Sequence, residues 1–236
     1  MLFLHERHEI VGAREDDFVS AYRDGWMPTL AKGNDARLLY FMRQSYGTGP
    51  AYNFITVTAI RDGQAWESLV HRIDTGDLRA WVDDVDSLRH DVYAEMLIPL
   101  PWSPIQQVDF DEIPTDGREH ASSVLMLDYV WPYEGRLEDY VAASGSHYRM
   151  EMEKHAKGKK STVEVQGAFR PAFGSHKRRE IVLWQRVLDT NGLVALIEGG
   201  IPTVYRSPGT WMHDALSVRD RLESRLLHVV SWSPRY

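Results

Sequence analysis

The chain has 236 residues, 43% of them hydrophobic, no cysteine, and a formal net charge of -7 at pH 7. That length and apolar content suffice for one large core or two smaller ones. The missing cysteines exclude disulfides, thiolate metal sites, iron-sulfur clusters and a cysteine nucleophile, and the acidic balance argues against nucleic acid, which needs a concentrated basic surface.

Taken in order, residues 2–11 read as a strand stopped by Gly12. A helix follows over roughly 14–31, with Glu15, Asp16 and Asp17 in its first turn, where the helix dipole favours acid. Residues 37–44 and 52–60 are strands on either side of a turn built on Tyr46, Gly47, Thr48, Gly49 and Pro50. Leu78, Trp81, Val82, Val85, Leu88, Val92 and Met96 recur every three or four residues and predict a second helix with one apolar stripe. A last strand carries Trp102, Ser103 and Pro104; its prolines at 99, 101 and 104 place it at a sheet edge. Residues 108–122 are acidic, hold Pro114 and Gly117 and lack an apolar period, which predicts an exposed linker.

The same unit is then written again. Residues 81–104 lie over 211–234 without a gap and share Trp81/Trp211, Asp84/Asp214, Ser87/Ser217, Arg89/Arg219, Leu97/Leu227 and the closing Trp-Ser-Pro triplet. Upstream, Arg43 and Asp62 match Arg170 and Asp189 at an offset of 127, and Asp17, Phe18 and Val19 face Asp139, Tyr140 and Val141. The second copy reads as a strand to Tyr133, a helix over roughly 136–157, a hairpin, and a helix opened by Ser207 and Pro208. The two halves differ in charge, since residues 1–120 hold 21 Asp+Glu against 11 Lys+Arg and residues 121–236 hold 13 against 16.

Strand, helix, strand, strand, helix, strand is the split ferredoxin-like order. One such unit leaves a sheet face bare, so the expected fold class is α+β: two fused ferredoxin-like (βαββαβ) repeats, 1–107 and 123–236, stacked in a dimeric α+β barrel architecture around a cavity. Sheet edges near the proline-rich strands predict homodimers. No apolar run approaches the roughly 18 residues of a membrane span, and the start turns charged early, so a cytoplasmic protein without membrane partners is expected.

The opening strand with its glycine stop, the Tyr-Gly-Thr hairpin and above all Pro101-Trp102-Ser103-Pro104 resemble the NIPSNAP family, within the dimeric α+β barrel superfamily. The first strand departs from that family's usual Glu-x-Arg-x-Tyr order. The resemblance implies a cavity between two sheets, in a superfamily that includes cofactor-free monooxygenases, cyclases, isomerases, haem proteins and members without catalysis. Fold does not choose among them.

Alternation along the first strand gives Phe3, His5 and Arg7 one face, and the repeat at offset 123 sets Asp128 opposite His5. The catalytic candidates are therefore His5 as proton carrier, with Asp128 or Arg7 steadying charge; the competing reading makes His5 an ordinary polar strand residue. Arg43 and Arg170 suit a carboxylate clamp, or else tie strand ends to acidic neighbours. Tyr40, Trp102 and Trp184 are offered as ligand-lining aromatics, with core as the alternative. The superfamily resemblance makes His155 the residue to test for haem, against a solvated helix end; no metal site is predicted, and no other cofactor. The expected function is binding, and metal-free isomerisation, cyclisation or oxidation, of a small, mostly apolar organic molecule, with a non-catalytic binding or assembly protein as the competing class.

Overall fold

The structure, a computed structural model, describes residues 1–148, 162–172, 179–200 and 202–236. The chain divides into two compact units. The first contains Met1–Ile98, Gln107–Ser123 and Leu226–Tyr236, and the second Pro99–Gln106 and Val124–Arg225. The class is α+β, and each unit is ferredoxin-like.

The first unit opens with β1 (Leu2–Ile10), followed by α1 (Glu15–Ser20), a π-helical turn (Ala21–Trp26) and α2 (Met27–Leu30). Next come β2 (Ala36–Gln44), β3 (Asn53–Ile60), α3 (Gly63–Asp74), α4 (Arg79–Ser87) and β4 (Arg89–Pro99). Its strand order is β4-β1-β3-β2, antiparallel throughout. The second unit repeats this with β5 (Ser123–Pro132), α5 (Leu137–Ala143), a π-helical turn (Ser144–Tyr148), β6 (Val163–Pro171), β7 (Ile181–Val187), α6 (Thr190–Gly199), α7 (Trp211–Asp214) and β8 (Arg219–Val229), in the order β8-β5-β7-β6.

Repeated residues do repeated work. Asp62 caps α3 by accepting from the Ala65 amide at 2.8 Å, and its copy Asp189 accepts from the Asn191 amide at 3.1 Å. In each unit the helices cover one sheet face. Phe18, Tyr22, Leu30, Phe41, Phe54 and Leu69 pack there in the first unit, and Val130, Tyr140, Tyr148, Leu183 and Trp211 in the second. Each fully buried large side chain contributes roughly 1.5–3 kcal/mol. The π-helical turns bring backbone against indole: a Cβ on Gly25 would lie 2.0 Å from Trp81, and one on Gly145 would lie 2.7 Å from Trp102.

Three expectations change. The apolar stripe of residues 78–96 is not one helix, because α4 stops at Ser87 and Val92 and Met96 belong to β4. The Trp-Ser-Pro triplets are not strands; they follow β4 and β8 as turns. The acidic stretch 108–122 is no free linker, since Phe110 is 4% exposed beneath the guanidinium groups of Arg37 and Arg61, at 5.1 and 4.7 Å from its ring.

The triplets are exchanged between the two repeats. Ser103, from the first repeat, belongs to the second unit and accepts the Ala168 amide of β6 at 3.0 Å. Ser233, from the second repeat, belongs to the first unit and accepts the Phe41 amide of β2 at 3.0 Å. Both amides follow a register shift in their strand, where ladder bonding lapses. The motif is written twice because each copy closes the other copy's second strand.

Candidate functional site

On β1, Leu2, Leu4, His8 and Ile10 pack with the helix-covered core, which leaves Phe3, His5 and Arg7 on the helix-free face. Cross-strand pairing then sets the neighbours of His5. It stands opposite Val57 on β3, which in turn faces Tyr40 on β2, and on its other side it stands opposite Glu95 of β4. His5 and Tyr40 are each 2% exposed and Glu95 is 7% exposed. The Tyr93 hydroxyl donates to Glu95 Oε1 at 2.7 Å, and the Arg7 guanidinium lies 5.7 Å from the centre of the Tyr93 ring. One strand pair thus supplies an imidazole, a carboxylate held by a phenol, and a cation stacked on that phenol.

The helix side of the same sheet holds a second polar cluster. Arg89 donates through Nη1 to His8 Nδ1 at 2.8 Å, and an arginine can only donate, so the proton of His8 sits on Nε2 and is shared with Thr56 Oγ1 at 2.9 Å. The Thr56 hydroxyl donates onward to Glu6 Oε2 at 3.3 Å, while the Tyr22 hydroxyl lies 3.5 Å from His8 Nε2. Burial, and then Arg89, hold His8 well below its ordinary pKa. Burial likewise raises the Glu6 carboxyl and the Tyr22 phenol. His8 is sealed at 0% exposure, which makes this cluster a piece of structure.

Asp128 occupies the matching place in the second unit. Its cross-strand neighbour Leu183 is part of the helix-covered core, and its carboxylate accepts Gln185 Nε2 at 2.7 Å and the Ser224 hydroxyl at 2.6 Å. Tyr148, from the π-helical turn, donates to Gln185 Oε1. Burial raises the Asp128 pKa. Burial patterns align β1 with β5 at an offset of 122, so Asp128 corresponds to Glu6, and the pairing of His5 with Asp128 across one face is corrected: they lie on opposite kinds of face. The acid beside His5 is Glu95, which the sequence reading did not find; its signal was only its place in a strand antiparallel to β1.

The remaining candidates separate. Arg43 pairs with Glu15 and Arg170 with Glu138, both at 3.1 Å, so each ties a strand to the start of its unit's first helix. That is the alternative role left open for the pair. Trp102 packs in the second unit's helix-covered core, its ring 6.4 Å from that of Tyr148. Trp184 pairs with Leu127, away from the helices, and its ring lies 4.0 Å from that of Phe169. A surface pocket of about 770 Å³ is lined by Tyr133, Glu134, Arg179 and Glu138, the partner of Arg170, among others, and by none of the candidate residues read from the sequence.

His155 lies outside the described residues. The described histidine nearest to it in sequence, His147, has Nδ1 3.9 Å from Asp214 and its ring centre 6.2 Å from that of Trp211. Among the described residues no group of three or more His, Asp or Glu is placed to hold a metal ion, and no helix is long and apolar enough to cross a membrane.

No protein-family model and no curated protein matches the chain. Solved structures do. A candidate monooxygenase from Lactobacillus acidophilus is 9% identical, with 98% of this chain and 96% of that one covered and a TM-score of 0.62. An anthrone oxidase-like protein is 7% identical, with 97% and 91% covered and a TM-score of 0.54. The similar structures also include a NIPSNAP domain protein from Burkholderia xenovorans, 18% identical over 44% of this chain and 99% of that one, with a TM-score of 0.38. The two full-length likenesses show the fold, that of the dimeric α+β barrel proteins.

Proposed function

We propose that the chain binds a small, mostly apolar organic molecule on the helix-free face of its first unit, and that His5 moves a proton on that molecule without a metal. The observation that carries this reading is the cross-strand pair of His5 and Glu95, both buried, with Tyr93 donating to the carboxylate and Arg7 stacked on Tyr93. An imidazole is the usual proton carrier near neutral pH, and an adjacent carboxylate orients it and stabilises the imidazolium that forms. In this reading Arg7, 5.7 Å from the centre of the Tyr93 ring, favours negative charge developing on the substrate oxygen.

The substrate class this suits is a carbon acid, a C–H beside a carbonyl on an aromatic frame. Its C–H bond breaks, the proton goes to His5, and the electron pair moves onto the carbonyl oxygen as an enolate. Isomerisation, cyclisation and cofactor-free oxidation all begin with this step. The candidate monooxygenase and the anthrone oxidase-like protein among the fold's relatives support the choice of anthrone as probe.

The test is exchange of the anthrone methylene protons for deuterium, followed by NMR with purified protein. The wild type is expected to accelerate exchange, and His5→Gln to lose about a hundredfold of that acceleration, the low end of general acid-base catalysis. Unchanged exchange in His5→Gln would end the catalytic reading. Binding of anthrone without exchange by the wild type would favour the non-catalytic alternative.

A further inference from the structure

The helix-free face of the second unit carries a different chemistry. On β5, Tyr129 and Trp131 present their rings side by side, 6.2 Å apart and 23° from parallel. On β8, Arg221 lies over Trp131 at 4.6 Å and Arg225 over Tyr129 at 5.6 Å. Between the two arginines, Glu223 accepts from Arg221 Nη2 at 3.0 Å and from Arg225 Nε at 2.8 Å.

Two guanidinium groups therefore share one carboxylate, and one positive charge is left over. The bonding is also incomplete. Arg225 is 16% exposed at its side chain, and its Nη1 is buried with no hydrogen-bond acceptor among the described residues. A buried charged donor without an acceptor is costly, and an anion arriving at Nη1 removes that cost. Further along the same face, Val182 stands opposite both Tyr129 and Phe169, and the rings of Phe169 and Trp184, 4.0 Å apart and tilted by 39°, continue the aromatic surface.

We infer that this face binds a planar aromatic carboxylate, its carboxylate group on Arg225 Nη1 and Arg221 and its ring against the aromatic row that begins at Tyr129. The guanidinium fork matches a carboxylate in geometry, and arginines stacked on aromatic faces are already held in plane. A neutral aromatic of the same shape gains the ring contacts and leaves Nη1 without an acceptor. This inference stands apart from the role of His5.

Calorimetric titration of the full chain with 2-naphthoate and with its neutral counterpart 2-naphthylmethanol tests it. The acid is expected to bind at least about tenfold more tightly than the alcohol, as a charge-assisted fork should provide. Arg225→Met should bring the acid down to the affinity of the alcohol, and Arg221→Gln, at a side chain 66% exposed, should weaken the acid alone. Equal affinities of the wild type for the two compounds, or binding of neither, overturns the inference whatever the variants do. So does full retention of naphthoate by a folded Arg225→Met, or, should that variant fail to fold, by Arg221→Gln.

Discussion

The hydroxyl of Ser233 accepts the main-chain amide of Phe41 at 3.0 Å, across 192 positions of sequence. It also donates to the Arg235 carbonyl at 2.8 Å, and beside it the Trp232 ring lies 4.7 Å from that of Phe41. Ser233→Ala therefore removes the partner of a buried N–H at the register shift of β2. The expected loss is about 1–3 kcal/mol, which in a chain of this size lowers Tm by roughly 2–4 °C per kcal/mol. Urea denaturation of Ser233→Ala and of Ser103→Ala measures it. Since Ser103 makes the same bond to Ala168, the two variants should lose comparable stability, and a silent Ser233→Ala would show that the triplet does not close the strand.

The repeat, the order of elements and the face of β1 that carries His5 were legible, because strand alternation and self-similarity are written in single residues. Two errors have one geometric cause each. Leu88, Val92 and Met96 are spaced by four, which satisfies a helix of period 3.6 and a strand of period 2 alike, so the stripe ran on past the end of α4. Asp128 was aligned at 123 in place of 122, and a slip of one residue in a strand turns a side chain to the other face. Glu95 was invisible for a third reason: its meeting with His5 depends on which strand pairs with β1 and in what register, and neither is written locally.

His8 sets the acid limb of stability. Its folded pKa lies well below the ordinary 6.5, so the unfolded chain takes up a proton first as pH falls. The stability this histidine contributes is complete above about pH 6.5 and drains away beneath it, by up to about 1.4 kcal/mol per pH unit. Glu6, whose carboxyl is raised, works in the opposite sense by holding its proton longer in the folded state. His8→Phe leaves Arg89 without one acceptor and lowers stability at every pH. Its urea midpoint should nevertheless change less between pH 7 and pH 5 than that of the wild type. Parallel profiles for the two proteins would assign the acid sensitivity elsewhere.

Gly25 answers to packing. A methyl group there would lie 2.0 Å from Cζ3 of Trp81, so either the indole or the π-helical turn must move. Gly25→Ala should cost about 1–3 kcal/mol, the usual range for an overfilled core. The double variant with Trp81→Leu should recover part of that loss, since the clash partner is gone. Thermal melts of the four proteins in the cycle decide this, and additive losses would mean that the two residues do not meet.

Asp128 tests whether the buried carboxylates are held for their charge or for their hydrogen bonds. With its pKa raised by burial, it favours folding below the unfolded value of about 3.9 and progressively less as pH rises through the folded value, so at neutral pH its charge opposes the fold. Asparagine keeps both contacts without that charge. Its Oδ1 can accept from Gln185 Nε2 as Asp128 Oδ2 does, and its Nδ2 can donate to Ser224 Oγ, whose hydroxyl rotates to suit. Asp128→Asn should therefore be at least as stable as the wild type at pH 8, with a smaller change in urea midpoint between pH 8 and pH 5. Asp128→Ala should instead lose about 1–3 kcal/mol, because it leaves the buried Gln185 amide unanswered. If asparagine proves as damaging as alanine, the negative charge is what the second unit needs, and its partner would be Arg219, whose positive charge favours the ionised form of Asp128.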